Sequence, residues 1–184
     1  MRVPFLDLKT QYAEVADRVG PEVTEILTTG AYVLGPHNKG LEAEIAELHG
    51  VKHAIAVNSG TDALRIAMQA CGIGPGDEVI TCAFTFVASV EVILQVGATP
   101  VFVDVRAHDF MMDPALIESK ITPRTKAILP IHLFGQLADM GPIMEIACKH
   151  NLIVLEDAAQ AVASHQNGKY AGNFSVASGL SFYV

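Results

Sequence analysis

The segment Asn58-Ser59-Gly60-Thr61-Asp62-Ala63-Leu64 follows an apolar run and opens a helical pattern. Backbone N–H groups and the helix dipole at such a turn favour an anion, and a phosphate suits both. Gly60 allows a ligand close to the backbone, and Thr61 adds a hydroxyl. The same residues also suit an ordinary helix start capped by Ser59 or Thr61. Asp62 fits a helix N-terminus but would repel a phosphate it faced, so its carboxylate is expected to point away.

Leu152-Ile153-Val154-Leu155-Glu156-Asp157 is an apolar run ending in two acids. Open parallel sheets bind ligands at the carboxyl ends of their strands. An aspartate there can pair with a protonated heterocyclic nitrogen and keep it charged, as an electron sink requires. Gln160, three residues on, could reach a hydroxyl on the same ring. Asp157 could equally cap a helix that follows. In Ala83-Phe84-Thr85-Phe86-Val87-Ala88-Ser89 an aromatic at a strand–helix junction can cover one face of a planar ligand. Two phenylalanines two apart point different ways if extended, so at least one of them suits the core.

Short apolar runs at His53–Asn58, Glu78–Cys82, Thr99–Val103, Lys126–Ile131, Leu152–Glu156 and Ala177–Val184 must position these residues. Several are apolar almost throughout, the pattern of parallel strands covered on both faces. Helical spacing predicts helices over Asp62–Met68, Ser89–Val96, Pro114–Ile121 and Met140–Lys149, with Gly72, Gly97 and Asn151 as C-terminal caps. The alternation predicts an α/β fold, a three-layer sandwich with a mostly parallel sheet. Ahead of it, residues 1–50 read as a helical arm: Thr10–Thr28, interrupted at Gly20-Pro21, then His37–Leu48. Residues 51–184 form the main domain. Asn167-Gly168 predicts a tight hairpin turn.

Composition narrows the classes. Apolar residues are 51% of the 184 and charged residues 17%, so the core is large or much surface awaits a partner. A net charge of −8 disfavours nonspecific nucleic-acid binding. No uncharged apolar run reaches membrane-spanning length, and Asp7 comes too early for a signal peptide. Cys71, Cys82 and Cys148 lack a CxxC pattern and read as small buried residues of a cytoplasmic protein. Gly50 breaks the helix between His49 and His53, which argues against a metal pair.

Taken together, Gly60-Thr61, Phe86, Asp157 with Gln160, and Ser181 resemble the DegT/DnrJ/EryC1/StrS family of sugar aminotransferases. Phe5-Leu6-Asp7-Leu8, Leu34-Gly35-Pro36, Gly76-Asp77-Glu78-Val79-Ile80, Gly97 to Asp104 and Glu156-Asp157-Ala158-Ala159-Gln160 strengthen the likeness. The resemblance implies the large domain of a fold-type I pyridoxal-phosphate enzyme. Gly60, Thr61 and Ser181 would hold the cofactor phosphate, Phe86 would stack on the ring, Asp157 would pair with the ring nitrogen, and Gln160 would contact the ring hydroxyl. It also implies a cytoplasmic homodimer that moves an amino group, usually from glutamate, to a keto group on a nucleotide-linked hexose. His132-Leu133-Phe134-Gly135-Gln136 is similar to members acting on 3-keto sugars.

The resemblance places the Schiff-base lysine two residues beyond Val184, and the smaller C-terminal domain after it. The 184 residues alone are therefore expected to bind the cofactor noncovalently and to lack transaminase activity. A lysine-free module that holds cofactor or nucleotide sugar, as sensor or scaffold, is the other reading.

Overall fold

Residues 4–182 are described by a computed structural model. Five strands form one parallel sheet: β1 (Glu78–Cys82), β2 (Thr99–Val103), β3 (Thr125–Ile128), β4 (Ile153–Asp157) and β7 (Ala177–Gly179), in the order β2-β1-β3-β4-β7. Every residue of β1 is buried, Glu78 and Thr81 included, so both faces of the sheet are covered there. The α/β class and the parallel sheet are as the sequence predicts. A hairpin of β5 (His165–Gln166) and β6 (Lys169–Tyr170) turns at Asn167-Gly168, whose φ values of 52° and 77° are the left-handed pair that such a turn demands.

The helices are α1 (Leu8–Thr29), α2 (Pro36–His49), α3 (Gly60–Ala70), α4 (Ala88–Gln95) and α5 (Met140–His150). Leu64 and Met68 of α3, Val92 and Ile93 of α4, and Met140 and Ile143 of α5 join Val79, Ile80, Ile128, Leu129, Val154 and Leu155 in one core. Each such side chain contributes about 1.5–3 kcal/mol by leaving water. Helix α3 lies against β7 so closely that a β-carbon on Gly179 would come within 2.7 Å of Leu64 Cγ. Gly179 thus lets the helix that begins at Gly60 settle onto the strand beside β4.

Several expectations need correction. His53–Asn58 forms no strand; Ile55 is 78% exposed, and the Ala56 N–H donates to Glu42 Oε1 at 2.8 Å instead of to a ladder. A strand exists only where a neighbour accepts its bonds, and an apolar run does not supply the neighbour. Helix α1 is not interrupted at Gly20-Pro21 but runs through Pro21. Pro114–Ile121 forms two short 3-10 turns, Pro114–Leu116 and Glu118–Lys120, rather than one helix. Ile117, fully buried, sits between them, so tertiary packing overrides the local period. In the expected strand Ala177–Val184, pairing stops at Gly179, residues 180–182 leave the sheet, and residues 183 and 184 lie outside the described residues.

Helix α2 ends on a buried histidine. His49 Nδ1 lies 2.7 Å from the Ala171 carbonyl, and its Nε2 accepts from the Ala163 N–H at 3.3 Å. These bonds tie α2 to both sides of the hairpin. Helix α1 buries none of its residues, and Leu8, Tyr12, Val15, Val19, Val23 and Leu27 form an exposed apolar stripe along it.

Candidate active site

Ser59 caps α3: its hydroxyl accepts from the Asp62 N–H at 3.1 Å, and its carbonyl accepts from the Ala63 N–H at 2.9 Å. The N–H groups of Gly60 and Thr61 are left without an acceptor among the described residues. Asp62 is turned sideways into a pair with Arg65, whose Nη2 donates to its Oδ1 at 2.7 Å; Asn58 donates to Oδ2 at 3.3 Å. The Arg65 and Asn58 bonds hold the Asp62 carboxyl below its usual range.

Across the mouth of this turn runs the chain leaving β7. A β-carbon on Gly60 would meet Ser181 Cβ at 2.9 Å and the Leu180 carbonyl oxygen at 3.2 Å. Positions 60 and 181, which are 121 residues apart, therefore line one narrow place. Asp157, the last residue of β4, pairs in register with Gly179 of β7. The acid and the α3 turn thus stand on neighbouring strands at the same, carboxyl end of the sheet.

Glu156 and Asp157 are adjacent in a strand, so their side chains leave on opposite faces. Glu156 is fully buried and accepts from four donors: His132 Nε2 at 2.9 Å, the Gly172 N–H at 2.8 Å, the Phe174 N–H at 3.2 Å and Ser175 Oγ at 2.7 Å. Burial alone would raise its carboxyl, but the His132, Ser175 and Gly172 donors outweigh burial and hold it below the usual carboxylate range. His132 Nδ1 accepts from the Ala138 N–H at 3.1 Å, which leaves Nε2 as the nitrogen that donates to Glu156. This acid is a structural clasp on the loop before β7.

Asp157 is different. It is 6% exposed, and Ser89 Oγ donates to its Oδ2 at 2.5 Å while the Ala159 N–H donates to Oδ1 at 3.2 Å. Burial pushes its carboxyl above the usual range, against the pull of Ser89 and Ala159. Turns and not a helix follow it, so capping a helix is not its task. Among the described residues no cationic side chain pairs with it.

Neither phenylalanine is core. Phe86 is 67% exposed, and Phe84 is 46% exposed with its ring 5.3 Å from that of Phe110. The junction after β1 carries both outward, where an extended strand would have buried one. Phe86 stays tied to the acid through Ser89, because its carbonyl accepts from the Ser89 backbone N–H at 3.2 Å. Gln160 is exposed, and its Oε1 accepts from the Phe134 N–H at 2.8 Å. Phe134 itself has φ 55°, a strained value for a phenylalanine, in the turn that presents this N–H.

The structure therefore joins Gly60 with Ser181, and Asp157 with Phe86 through Ser89. Ser89 and the His132–Glu156 pair are absent from the sequence reading of the site. The one sequence signal for Ser89 is a hydroxyl in the first turn of an otherwise apolar helix. Cys82, at the end of β1, is pushed up to about 11 by burial and offers no thiolate at neutral pH. Cys148 is exposed on α5, contrary to the expectation that all three cysteines are buried. No metal-binding cluster occurs among the described residues.

Two cavities lie elsewhere. One of about 380 Å³ is lined by Arg106, Asp109, Asp139 and His165; another of about 590 Å³ lies at the amino ends of β3 and β4, beside Phe174 and Val176. Neither is lined by any of the six residues picked out from the sequence.

The profile of the DegT/DnrJ/EryC1/StrS aminotransferase family matches residues 14–184. The chain belongs to this family. Within the DegT/DnrJ/EryC1/StrS group it is 48% identical, over 98% of its length, to the UDP-N-acetyl-3-dehydro-alpha-D-glucosamine 3-aminotransferase of Acidithiobacillus ferrooxidans. It spans about half the length of the curated relatives it matches, 49% in that case. Among solved structures, DesV of S. venezuelae superposes with a TM-score of 0.90 at 46% identity, over 93% of this chain and 46% of that one. NtdA of Bacillus subtilis, solved with its cofactor PMP bound, gives 0.87 at 39% identity, over 93% and 40%.

Proposed function

We propose that the full-length protein is a pyridoxal-phosphate-dependent aminotransferase of nucleotide-linked keto sugars, with glutamate as amino donor. The observation that carries this is Asp157: a buried carboxylate, held by a serine, at the carboxyl end of a parallel strand and one strand from a helix turn where a β-carbon at position 60 would meet Ser181 Cβ at 2.9 Å. The residues present fit the cofactor. The Gly60–Ser181 place suits a phosphate, and a desolvated acid without a cationic partner suits a pyridinium.

When bound, pyridoxal phosphate supplies the electron sink that amino-group transfer needs. The N–H groups of Gly60 and Thr61, with the Ser181 hydroxyl, hold the phosphate. Asp157 keeps a proton on the ring nitrogen. Phe86 covers one ring face. Gln160, whose Oε1 is occupied by Phe134, presents its amide N–H groups to the ring hydroxyl. None of these is the lysine that carries the cofactor, which we place after Val184. His132 is buried against Glu156, so it serves the 3-keto-sugar reading through the shape of the 133–138 turn and not by touching the sugar.

We further propose that residues 51–184 form the cofactor half behind an arm of residues 1–50, and that the protein is a cytoplasmic homodimer. The exposed stripe on α1 supports the dimer. No helix among the described residues is long and apolar enough to cross a membrane. The test is titration of the full-length protein with pyridoxal phosphate, followed by absorbance. Saturable binding that Asp157→Asn weakens supports the reading, and a featureless titration refutes it.

A further inference from the structure

Ser89 is 1% exposed, and its hydroxyl stands where three groups meet. It donates to Asp157 Oδ2 at 2.5 Å, lies 2.7 Å from Thr85 Oγ1, and lies 3.1 Å from the Phe86 carbonyl oxygen. A serine hydroxyl has one proton to give. The shortest of the three contacts is to the carboxylate, and a charged acceptor takes the stronger bond. The Ser89 proton is therefore committed to Asp157, and the Thr85 hydroxyl must be the donor in its contact with Ser89. The result is a directed chain, Thr85 to Ser89 to Asp157, that ends on the buried acid. It runs from the loop after β1 through the first turn of α4 to the end of β4, and its Ser89–Asp157 bond spans 68 positions.

We propose that Ser89, backed by Thr85, is a positioning residue that keeps Asp157 ionised and aimed, so that the shared proton stays on the cofactor's ring nitrogen and does not move to the carboxyl group. This rests on the assignment of Asp157 to that nitrogen. The physical argument is a competition. Asp157 has left water, and burial favours its neutral form. With the carboxyl neutral, the proton sits on Asp157, the ring nitrogen is uncharged, and the ring withdraws electrons poorly. A hydroxyl that donates to the carboxylate stabilises only the charged form, and Thr85 strengthens that donor by polarising it. The Ser89 backbone N–H donates to the Phe86 carbonyl at 3.2 Å, so the residue proposed for the ring face and the residue proposed for the ring nitrogen move as one body.

The experiment loads the full-length protein with pyridoxal phosphate labelled with 15N in the ring and reads the nitrogen's chemical shift at neutral pH. The parent is expected to show a protonated nitrogen. Ser89→Ala should move the proton equilibrium toward the carboxyl group by about tenfold, the worth of a buried hydrogen bond to a charge, and draw the shift toward that of neutral pyridine. Thr85→Val, at a partly exposed site, should move it the same way by less, and it keeps the test open if Ser89→Ala folds poorly. Ser89→Cys, similar in size but a weak donor, should behave like alanine. A parent-like shift in Ser89→Ala or Thr85→Val, while Asp157→Asn removes the proton, overturns the role of Ser89 and leaves Asp157 in place. A parent that binds no cofactor, or whose ring proton survives Asp157→Asn, overturns the Asp157 assignment and this inference with it.

Discussion

Gly60 and Ser181 stand so close that a single β-carbon at position 60 would lie 2.9 Å from Ser181 Cβ. Gly60 has no positive φ, so its need for glycine comes from this approach and not from backbone strain. Gly60→Ala should therefore fold, push residues 180 and 181 aside, and weaken pyridoxal phosphate binding by about tenfold, the cost of a modest overpacking. Equilibrium dialysis of the full-length protein checks this, with the melting temperature as a control for folding.

Glu156 should matter to the fold more than to the chemistry. Glu156→Gln replaces an acceptor of four donors with an amide that turns its own N–H groups toward one pair of them. A loss of about 2–3 kcal/mol in urea unfolding is expected, from buried donors left unmatched. The cofactor affinity of whatever remains folded should change little.

The two adjacent acids should bend the pH profile in opposite directions. The Glu156 carboxyl is lowered in the folded protein, so its stabilisation is present above its unfolded value near 4.5 and is lost as pH falls through the lower folded value. The Asp157 carboxyl is raised, so it costs stability from its unfolded value near 3.8 upward, and in full once pH exceeds the folded value. Urea midpoints across pH 3–8 should show a shallower acid limb in Glu156→Gln. They should show a gain at neutral pH in cofactor-free Asp157→Asn.

What the sequence disclosed follows from how local each feature is. Strands β1 and β2 have the predicted bounds, because each is a short, mostly apolar run set off by glycine turns, although only β1 is buried throughout and β2 is the half-exposed edge of the sheet. The turn at Asn167-Gly168 was legible because its two residue types tolerate positive φ. His53–Asn58 misled because an apolar run shows that a segment wants burial, not that a neighbour strand stands beside it. The bonds that Ser89 and His132 make were invisible for a related reason. Their partners lie 68 and 24 residues away, and only the parallel sheet, with Asp157 bridged to Ile131, brings those distances to hydrogen-bond length. Phe86 and Gln160 were legible as candidates by residue type and place in the motif, yet what holds each of them, a serine and a backbone N–H, had no signature in sequence.

The exposed stripe Leu8, Tyr12, Val15, Val19, Val23, Leu27 carries the assembly prediction. Full-length protein at micromolar concentration should scatter light as a homodimer. A monomer that retains activity would contradict the proposal.

The most direct test of the central claim is the half-reaction with glutamate. Full-length protein loaded with pyridoxal phosphate is mixed with glutamate, and absorbance follows conversion of the cofactor to its amino form. The parent should convert. Asp157→Ala should keep its fold and convert at least about a hundredfold more slowly, since the counter-charge to the ring nitrogen is gone. Conversion of Asp157→Ala at the parent rate would contradict the account and leave Asp157 a buried acid with no part in the chemistry.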